Sequence, residues 1–317
     1  MVFFKQEELF MNRPVLTIGT FDGVHKGHQY LLTETVRLAK ENKTKSVVIT
    51  YPVHPLEVIH EKVFPYLLTE PDKRQFLIKK TGIDEIFYLN FDKAMSLMTA
   101  DLFLKDIIVK QFNPQMILVG YDTHFGKNRT GTTDFLKQKA NDYNYKIQEI
   151  EPLYINDIIP GSSLIRDLIN SGHIDSAYKY LGYYYSIIGE VVSGKKIGRT
   201  LGFPTINLKP YEINKLLPQN GVYFTCSKID DNYYFGATNI GVSPSIKREN
   251  IVEIETFLFN FSANVYNQKI ELFFIEKIRD EVKFNNQQDL INQIFIDVET
   301  IKEKIEKFHN WKILRDS

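Results

Sequence analysis

The stretch that most constrains this chain runs from Val15 to His28, V-L-T-I-G-T-F-D-G-V-H-K-G-H. Its apolar start, Val15 to Ile18, reads as a buried strand, and glycines then punctuate a short loop. Gln29 to Lys40 reads as a helix with Leu31, Leu32, Thr35, Val36 and Ala39 on one face. In an open α/β sheet such a strand–loop–helix junction lies at the carboxyl end of the strand, where ligands bind. The helix start offers N–H groups and a favourable dipole to phosphate.

His25 and His28 sit in this junction, with Gly27 between them. Their rings can reach one point, and a glycine lets backbone approach a ligand. This suits donors placed over a nucleotide's phosphates. It is not the HExxH spacing of a zinc helix, and no cysteine or further histidine stands close by in sequence to complete a metal site.

The first half alternates strands and helices. Strands are expected at Ser46 to Tyr51, Ile83 to Leu89, Gln115 to Val119 and Tyr145 to Ile150. Helices are expected at Pro71 to Lys80, Ala100 to Lys110 and Thr133 to Asn141. That alternation predicts a parallel sheet with helices on both faces. A helix from Ser162 or Ser163 to Asn170 and another ending at Leu181-Gly182 follow. Beyond Tyr183 the pattern becomes strands at Tyr184 to Val192, Gly221 to Ile229, Tyr233 to Asn239, Val252 to Phe261 and Lys269 to Ile278. Asp230-Asp231-Asn232 makes a hairpin turn, so the pattern predicts a small antiparallel barrel. Gln287 to Phe308 closes the pattern as a helix whose Leu290, Ile291, Ile294, Val298, Ile301 and Ile305 form a docking stripe. A chain of 317 residues accommodates two domains, expected at 1–182 and 183–317.

Zero formal net charge favours neither a nucleic acid nor an anionic membrane as partner. Met1 to Arg13 has no long apolar run, so no secretory leader is expected, and no apolar run of about 18 residues that would span a bilayer is seen in the sequence. The single Cys226 excludes an intramolecular disulfide and suits a reducing cytoplasm. A cytoplasmic protein is therefore expected.

A second rich stretch runs from Gly189 to Leu208, G-E-V-V-S-G-K-K-I-G-R-T-L-G-F-P-T-I-N-L. Gly194, Gly198 and Gly202 permit a loop with its N–H groups turned toward one ligand, and Lys195, Lys196 and Arg199 add positive charge. The Walker A pattern GxxxxGK[ST] is absent.

The segment GTFDGVHKGH resembles the HxGH signature of the nucleotidyltransferase superfamily, in the form found in prokaryotic bifunctional FAD synthetases. Those enzymes join an FMN adenylyltransferase module to a riboflavin kinase module. Three further stretches match the first module. Thr50 to Pro55 resembles FxPHP, Val119 to Gly131 resembles VGxDFxFGxxRxG, and Ser162 to Arg166 resembles SSTxIR. Gly189 to Leu208 resembles the kinase signature GxVVxGxxxGRxLGFPTxNL. Leu217 to Tyr223, Ala237 to Ser245, Ile254 to Phe261 and Ile278 to Phe284 resemble later kinase segments.

For the first module the resemblance implies attack of the FMN phosphate on the α-phosphorus of ATP, giving FAD and pyrophosphate. His25 and His28 would stabilise charge on the phosphates, and Arg166 would hold the pyrophosphate. Gly19, Phe21, Asp22, Gly23, Gly27, Ser162 and Ser163 would bind nucleotide. His54, Asp122, Phe125 and Arg129 would lie on the flavin side. For the second module it implies phosphorylation of riboflavin to FMN, with Glu255 as general base. Gly194, Lys195, Gly198, Arg199 and Thr200 would bind ATP, and Thr205 and Asn207 would coordinate Mg²⁺. Arg279 would bind flavin phosphate or pair with an acid. Riboflavin, FMN and ATP are thus the expected small-molecule partners, with no nucleic acid or membrane. Thr123, Phe257, Asn260, Asn264 and Asn267 depart from the family pattern. They leave open an alternative, a monofunctional adenylyltransferase with a flavin-binding, non-kinase barrel; a non-catalytic flavin-responsive regulator is a further one.

Overall fold

Strand β1 (Val15–Ile18) is the middle strand of a parallel sheet and is buried at every position. The computed structural model describes residues 13–60, 66–194, 198, 202–244, 250–284, 286–310 and 314. The chain divides into two compact units, Met1–Gly161 and Ser162–Ser317.

In the first unit β1 leads into α1 (Lys26–Glu41), β2 (Ser46–Thr50), α2 (Pro55–His60) and α3 (Pro71–Lys80). Then come β3 (Glu85–Tyr88), α4 (Lys93–Ser96), a helix at 100–112 that we label α5, β4 (Met116–Gly120), α6 (Thr133–Lys139) and β5 (Lys146–Ile150). Among the described residues the sheet order is β3-β2-β1-β4-β5. Val15 pairs in parallel with Ser46 on one side and Met116 on the other. The chain therefore switches direction across the sheet at β1, and the crevice beyond β1 and β4 is where such sheets take ligands. β2, like β1, is buried along its length, as a sheet covered on both faces requires. On one face Leu16, Ile18, Val47 and Ile49 pack with Phe103, Leu104 and Ile108 of α5. Within α5, Phe103–Val109 winds as a π-helix, a detail the 3.6-residue pattern does not reveal.

The second unit opens with α7 (Ser162–Asn170) and α8 (Ile174–Leu181). Gly172 (φ +76°) and Gly182 (φ +80°) end them in the left-handed region that glycine occupies without strain. The division between the compact units thus falls before α7 in the chain, whereas the sequence texture changes at Tyr183. Ile174, Ala177 and Leu181 are buried on α8, which packs on β11 within the second unit.

The barrel strands are β6 (Ser186–Val192), β7 (Thr205–Pro210), β8 (Gly221–Ile229), β9 (Asn232–Pro244), β10 (Asn250–Leu258) and β11 (Lys269–Asp280). Among the described residues they close antiparallel in the order β10-β7-β6-β11-β8-β9. β7 was not expected as a strand: its T-I-N-L-K-P is short, polar and preceded by glycines. It forms because β6 and β10 flank it and satisfy its backbone. Buried Thr225, Thr238 and Thr256 link β8, β9 and β10 through hydroxyl hydrogen bonds of 2.8 Å. Cys226 is buried in this barrel, and burial pushes its thiol up to about 12. Helix α9 (Gln287–Glu306) docks by Val298 and Ile301, while Phe295 and Ile296 stay exposed.

Candidate functional site

In the first unit the chain leaves β1 through a sharply bent loop. Phe21 (φ +52°), Gly23 (φ +82°) and Val24 (φ +32°) all lie at positive φ, a conformation held by surrounding bonds. Asp22, buried, accepts the N–H groups of Leu68 (3.0 Å) and Thr69 (3.1 Å), and the Gly23 N–H donates to the Thr69 hydroxyl (3.0 Å). The loop is thereby tied to the segment entering α3.

His25 caps α1: its Nδ1 accepts the His28 N–H at 3.3 Å. A neutral His25 ring therefore carries its proton on Nε2. The His25 and His28 rings stack with centroids 3.7 Å apart, and Phe21 meets His28 edge-on at 5.2 Å. Burial, then the neighbouring His25, hold the His28 imidazole well below its ordinary titration range. A Cβ at Gly27 would stand 3.2 Å from the His25 ring and 3.4 Å from the Pro160 carbonyl, so the glycine leaves room for the stack. At Gly19 a Cβ would meet the Phe21 ring at 3.2 Å.

His54 repeats the capping device after β2. Its Nδ1 accepts the Leu56 N–H at 3.2 Å, and its ring meets Tyr66 edge-on. After β4, Phe125 and Gly131 pair as an antiparallel bridge. Phe125 belongs to the core, beside Phe103 and Phe135, and a Cβ at Gly131 would collide with its ring at 2.6 Å. Its buried ring shapes the loop from within. Asp122 and Arg129 are exposed on that loop, and Arg129 bonds the His124 Nδ1 at 3.2 Å. The exposed Tyr121 precedes Asp122.

In the second unit the register places Glu255 on β10 directly opposite Asn207 on β7 and Asn239 on β9. Thr205 stands opposite Phe257 in the same ladder. Residues directly opposite in an antiparallel pair share a face, so Thr205, Asn207 and Glu255 form one oxygen-bearing patch. Gly194 and Gly198 approach it closely. A Cβ at Gly194 would lie 2.2 Å from the Asn207 Nδ2, and one at Gly198 would lie 2.4 Å from the Phe203 carbonyl and 3.3 Å from the Thr205 hydroxyl. The patch can hold a hard cation and a phosphate beside a carboxylate base.

A family model described as FAD synthetase matches residues 8–163, and one described as riboflavin kinase matches residues 181–305. This chain belongs to the bifunctional riboflavin kinase/FMN adenylyltransferase family. It is 37% identical over 294 residues to the bifunctional riboflavin kinase/FMN adenylyltransferase of Buchnera aphidicola subsp. Schizaphis graminum, covering 91% of this chain and 93% of the relative. It is 32% identical to that of Haemophilus influenzae, covering 90% and 92%. A solved structure described as a macrolide-efflux protein from Streptococcus pneumoniae is 27% identical with a TM-score of 0.83, covering 94% of this chain and 96% of that one. That description is of the other protein; among the described residues here no helix is long and apolar enough to cross a membrane.

As a member of this bifunctional family, the chain carries both enzyme parts, which supports the two-activity reading over the monofunctional alternative. Of the expected site residues, the structure joins His25 and His28 in one stack and Thr205, Asn207 and Glu255 in one register. Ser162, Ser163 and Arg166 begin α7, in the second compact unit. Lys195, Arg199 and Thr200 lie outside the described residues. Arg279 grips buried Asp297 of α9 through bonds of 2.9, 3.1 and 2.7 Å. Pairing with an acid is thus the reading the structure supports. Phe257, where the family resemblance calls for histidine, meets Phe203 of the kinase signature edge-on at 5.6 Å. Asn260 (φ +55°) and Asn267 (φ +63°) occupy the left-handed region, which asparagine tolerates better than most residues.

Sequence reasoning missed Arg74 and Asp297. Arg74 lies in P-D-K-R-Q-F-L-I-K-K, where one more cation reads as helix surface, and Asp297 lies beside the apolar stripe of α9. Only the burial of both side chains marks them.

Proposed function

We propose that the two reactions use residues as follows, with module 1–182 making FAD and module 183–317 making FMN. In the first module the Nε2–H of His25 and the ring of His28 face the charge that develops on ATP as the FMN phosphate oxygen attacks the α-phosphorus. The bond to pyrophosphate breaks as the new phosphoanhydride forms. An arriving phosphate favours protonation of His28, opposing the burial that keeps the empty ring neutral. Gly19, Phe21, Asp22, Gly23 and Gly27 shape this turn. Ser162, Ser163 and Arg166 keep the phosphate-binding role that their motif implies. His54, Asp122 and Arg129 serve the flavin side, and Phe125 supports it from the core.

In the second module Glu255 takes the proton of the ribityl 5′-hydroxyl as that oxygen attacks the γ-phosphorus of a second ATP, and ADP leaves. Asn207 and Asn239 flank it in the neighbouring strands. Gly194 and Gly198, with Lys195, Arg199 and Thr200, cradle the phosphates. The Thr205 hydroxyl and Asn207 amide oxygen, beside the Glu255 carboxylate, are the hard donors that suit Mg²⁺, and they would hold it with ATP oxygens and water. The ion would supply charge neutralisation on the phosphates. Among the described residues no cluster of three or more His, Cys, Asp or Glu offers a closed metal cage. A cytoplasmic location is in keeping with this chemistry and with the lone buried cysteine.

The observation that carries this reading is the register Glu255↔Asn207, with Gly194 against the Asn207 amide. The test is to incubate purified chain with riboflavin, ATP and Mg²⁺ and follow flavins by chromatography. FMN followed by FAD is expected. His28→Ala should halt the process at FMN. Glu255→Ala should leave riboflavin unconverted yet still convert supplied FMN to FAD. Unchanged riboflavin turnover in Glu255→Ala would remove the base assignment.

A further inference from the structure

Arg74, on α3, is 1% exposed, and none of the expected nucleotide contacts includes it. Among its bonds are those to backbone carbonyls at the carboxyl ends of two neighbouring strands. It donates to Thr20 (3.4 Å) just beyond β1, and to Tyr51 (2.5 Å) and Pro52 (3.2 Å) just beyond β2. The Thr20 carbonyl also accepts the Thr50 hydroxyl at 3.2 Å. These acceptors lie within a few residues of His25 in one loop and of His54 in the other. A return contact runs the opposite way: Asp22 of the β1 loop accepts the N–H groups of Leu68 and Thr69, just before α3. Loop and helix are thus latched in both directions, by a carboxylate reaching out and a guanidinium reaching back.

We propose that Arg74 is a positioning residue for adenylyl transfer, holding the histidine turn and the His54 segment in one register by satisfying carbonyls at the ends of both strands. Carbonyl oxygens gathered at the ends of β1 and β2 concentrate partial negative charge there and need a donor when buried. A buried cation bonded to three of them cancels that charge and leaves the loops little freedom to separate. Misplacement of catalytic groups by about an ångström costs on the order of a hundredfold in rate, so a latch of this kind acts on turnover. The inference rests on the reading of His25 and His28 as the adenylyl-transfer site.

The experiment compares wild type with Arg74→Met, Arg74→Gln, Arg74→Lys and His28→Ala, each as the full chain. FMN adenylyl transfer and riboflavin phosphorylation are measured on the same preparations. Calorimetric titration with a non-hydrolysable ATP analogue counts folded sites, one for each unit. Arg74→Met and Arg74→Gln are expected to lower adenylyl-transfer kcat by about tenfold or more with both sites still counted. Lysine, a charged head with three donors, is expected to recover activity to within about fivefold of wild type. Riboflavin phosphorylation should stay within about twofold throughout. A variant that binds the analogue only once has lost the first unit, and the remaining Arg74 variants then decide. Wild-type turnover in Arg74→Met, or a lysine variant no better than methionine, overturns the proposal. Undiminished adenylyl transfer in His28→Ala would instead overturn the site reading beneath it.

Discussion

Asn207 occupies the space that any side chain at Gly194 would need: a Cβ there would stand 2.2 Å from Nδ2 and 2.4 Å from Cγ. The glycine is thus the condition for the backbone at Gly194 to lie on the amide, and Asn207 in turn is paired in register with Glu255. Gly194→Ala is expected to push loop and amide apart. Riboflavin phosphorylation should fall by about tenfold or more while FAD formation from supplied FMN is unchanged, as misplacement of a binding loop predicts. Parallel assays of the two reactions check this.

Gly27 makes a milder demand. An added Cβ would press on the His25 ring at 3.2 Å, and that ring can tilt. Gly27→Ala should disturb the His25–His28 stack and lower FMN adenylyl transfer by about five- to tenfold, with the kinase untouched. An unaltered rate would show that the stack is not required for turnover.

Asp22 lies 2% exposed and satisfies backbone donors of Leu68 and Thr69. Asp22→Ala leaves those N–H groups buried without their acceptor, at a cost of about 1–3 kcal/mol. Urea unfolding followed by a probe in the first unit should show a lower midpoint.

The pH dependence follows from His28. Its imidazole is held well below the ordinary 6.5 by burial first and His25 second. The unfolded chain then takes up a proton near 6.5 that the folded chain refuses, so the stability present above that pH is lost as pH falls below it. Thermal melting of the first unit should drop between about pH 7 and pH 5, and His28→Asn should drop less. Equal slopes would mean that His28 does not titrate as the structure implies.

Arg279 and Asp297 form a partly buried ion pair, with side-chain exposures of 21% and 6%. Asp297 also accepts the Gln293 amide at 2.9 Å. Asp297→Asn should loosen α9 and cost on the order of 2 kcal/mol, and Arg279→Met should add little to it, because both remove one interaction. A double-mutant cycle on barrel unfolding measures the coupling.

Much of the architecture was legible in the sequence because its signals are local. Apolar runs ended by glycine, proline at Pro71, and the Asp230-Asp231-Asn232 turn give β1, α3 and the start of the β8–β9 hairpin close to their observed limits, while β9 runs on to Pro244, past the expected Asn239. β7 was not legible, since it is a strand by virtue of its neighbours. Phe125 and Arg279 could be named as site candidates, but a sequence does not say which side of a loop a ring takes or which acid an arginine finds. Arg74 gave no signal at all.

The sequence by itself determined most of the order of elements, a division into two modules and the residue types available for phosphate chemistry, because periodicity and short motifs are properties of nearest neighbours along the chain. Tertiary structure decided what stands beside what. It brought Glu255 opposite Asn207 from 48 positions away, turned Arg74 inward onto carbonyls of two other segments, and committed Arg279 to Asp297. Those pairings depend on strand register and burial, which arise only when segments distant in sequence remove one another from water.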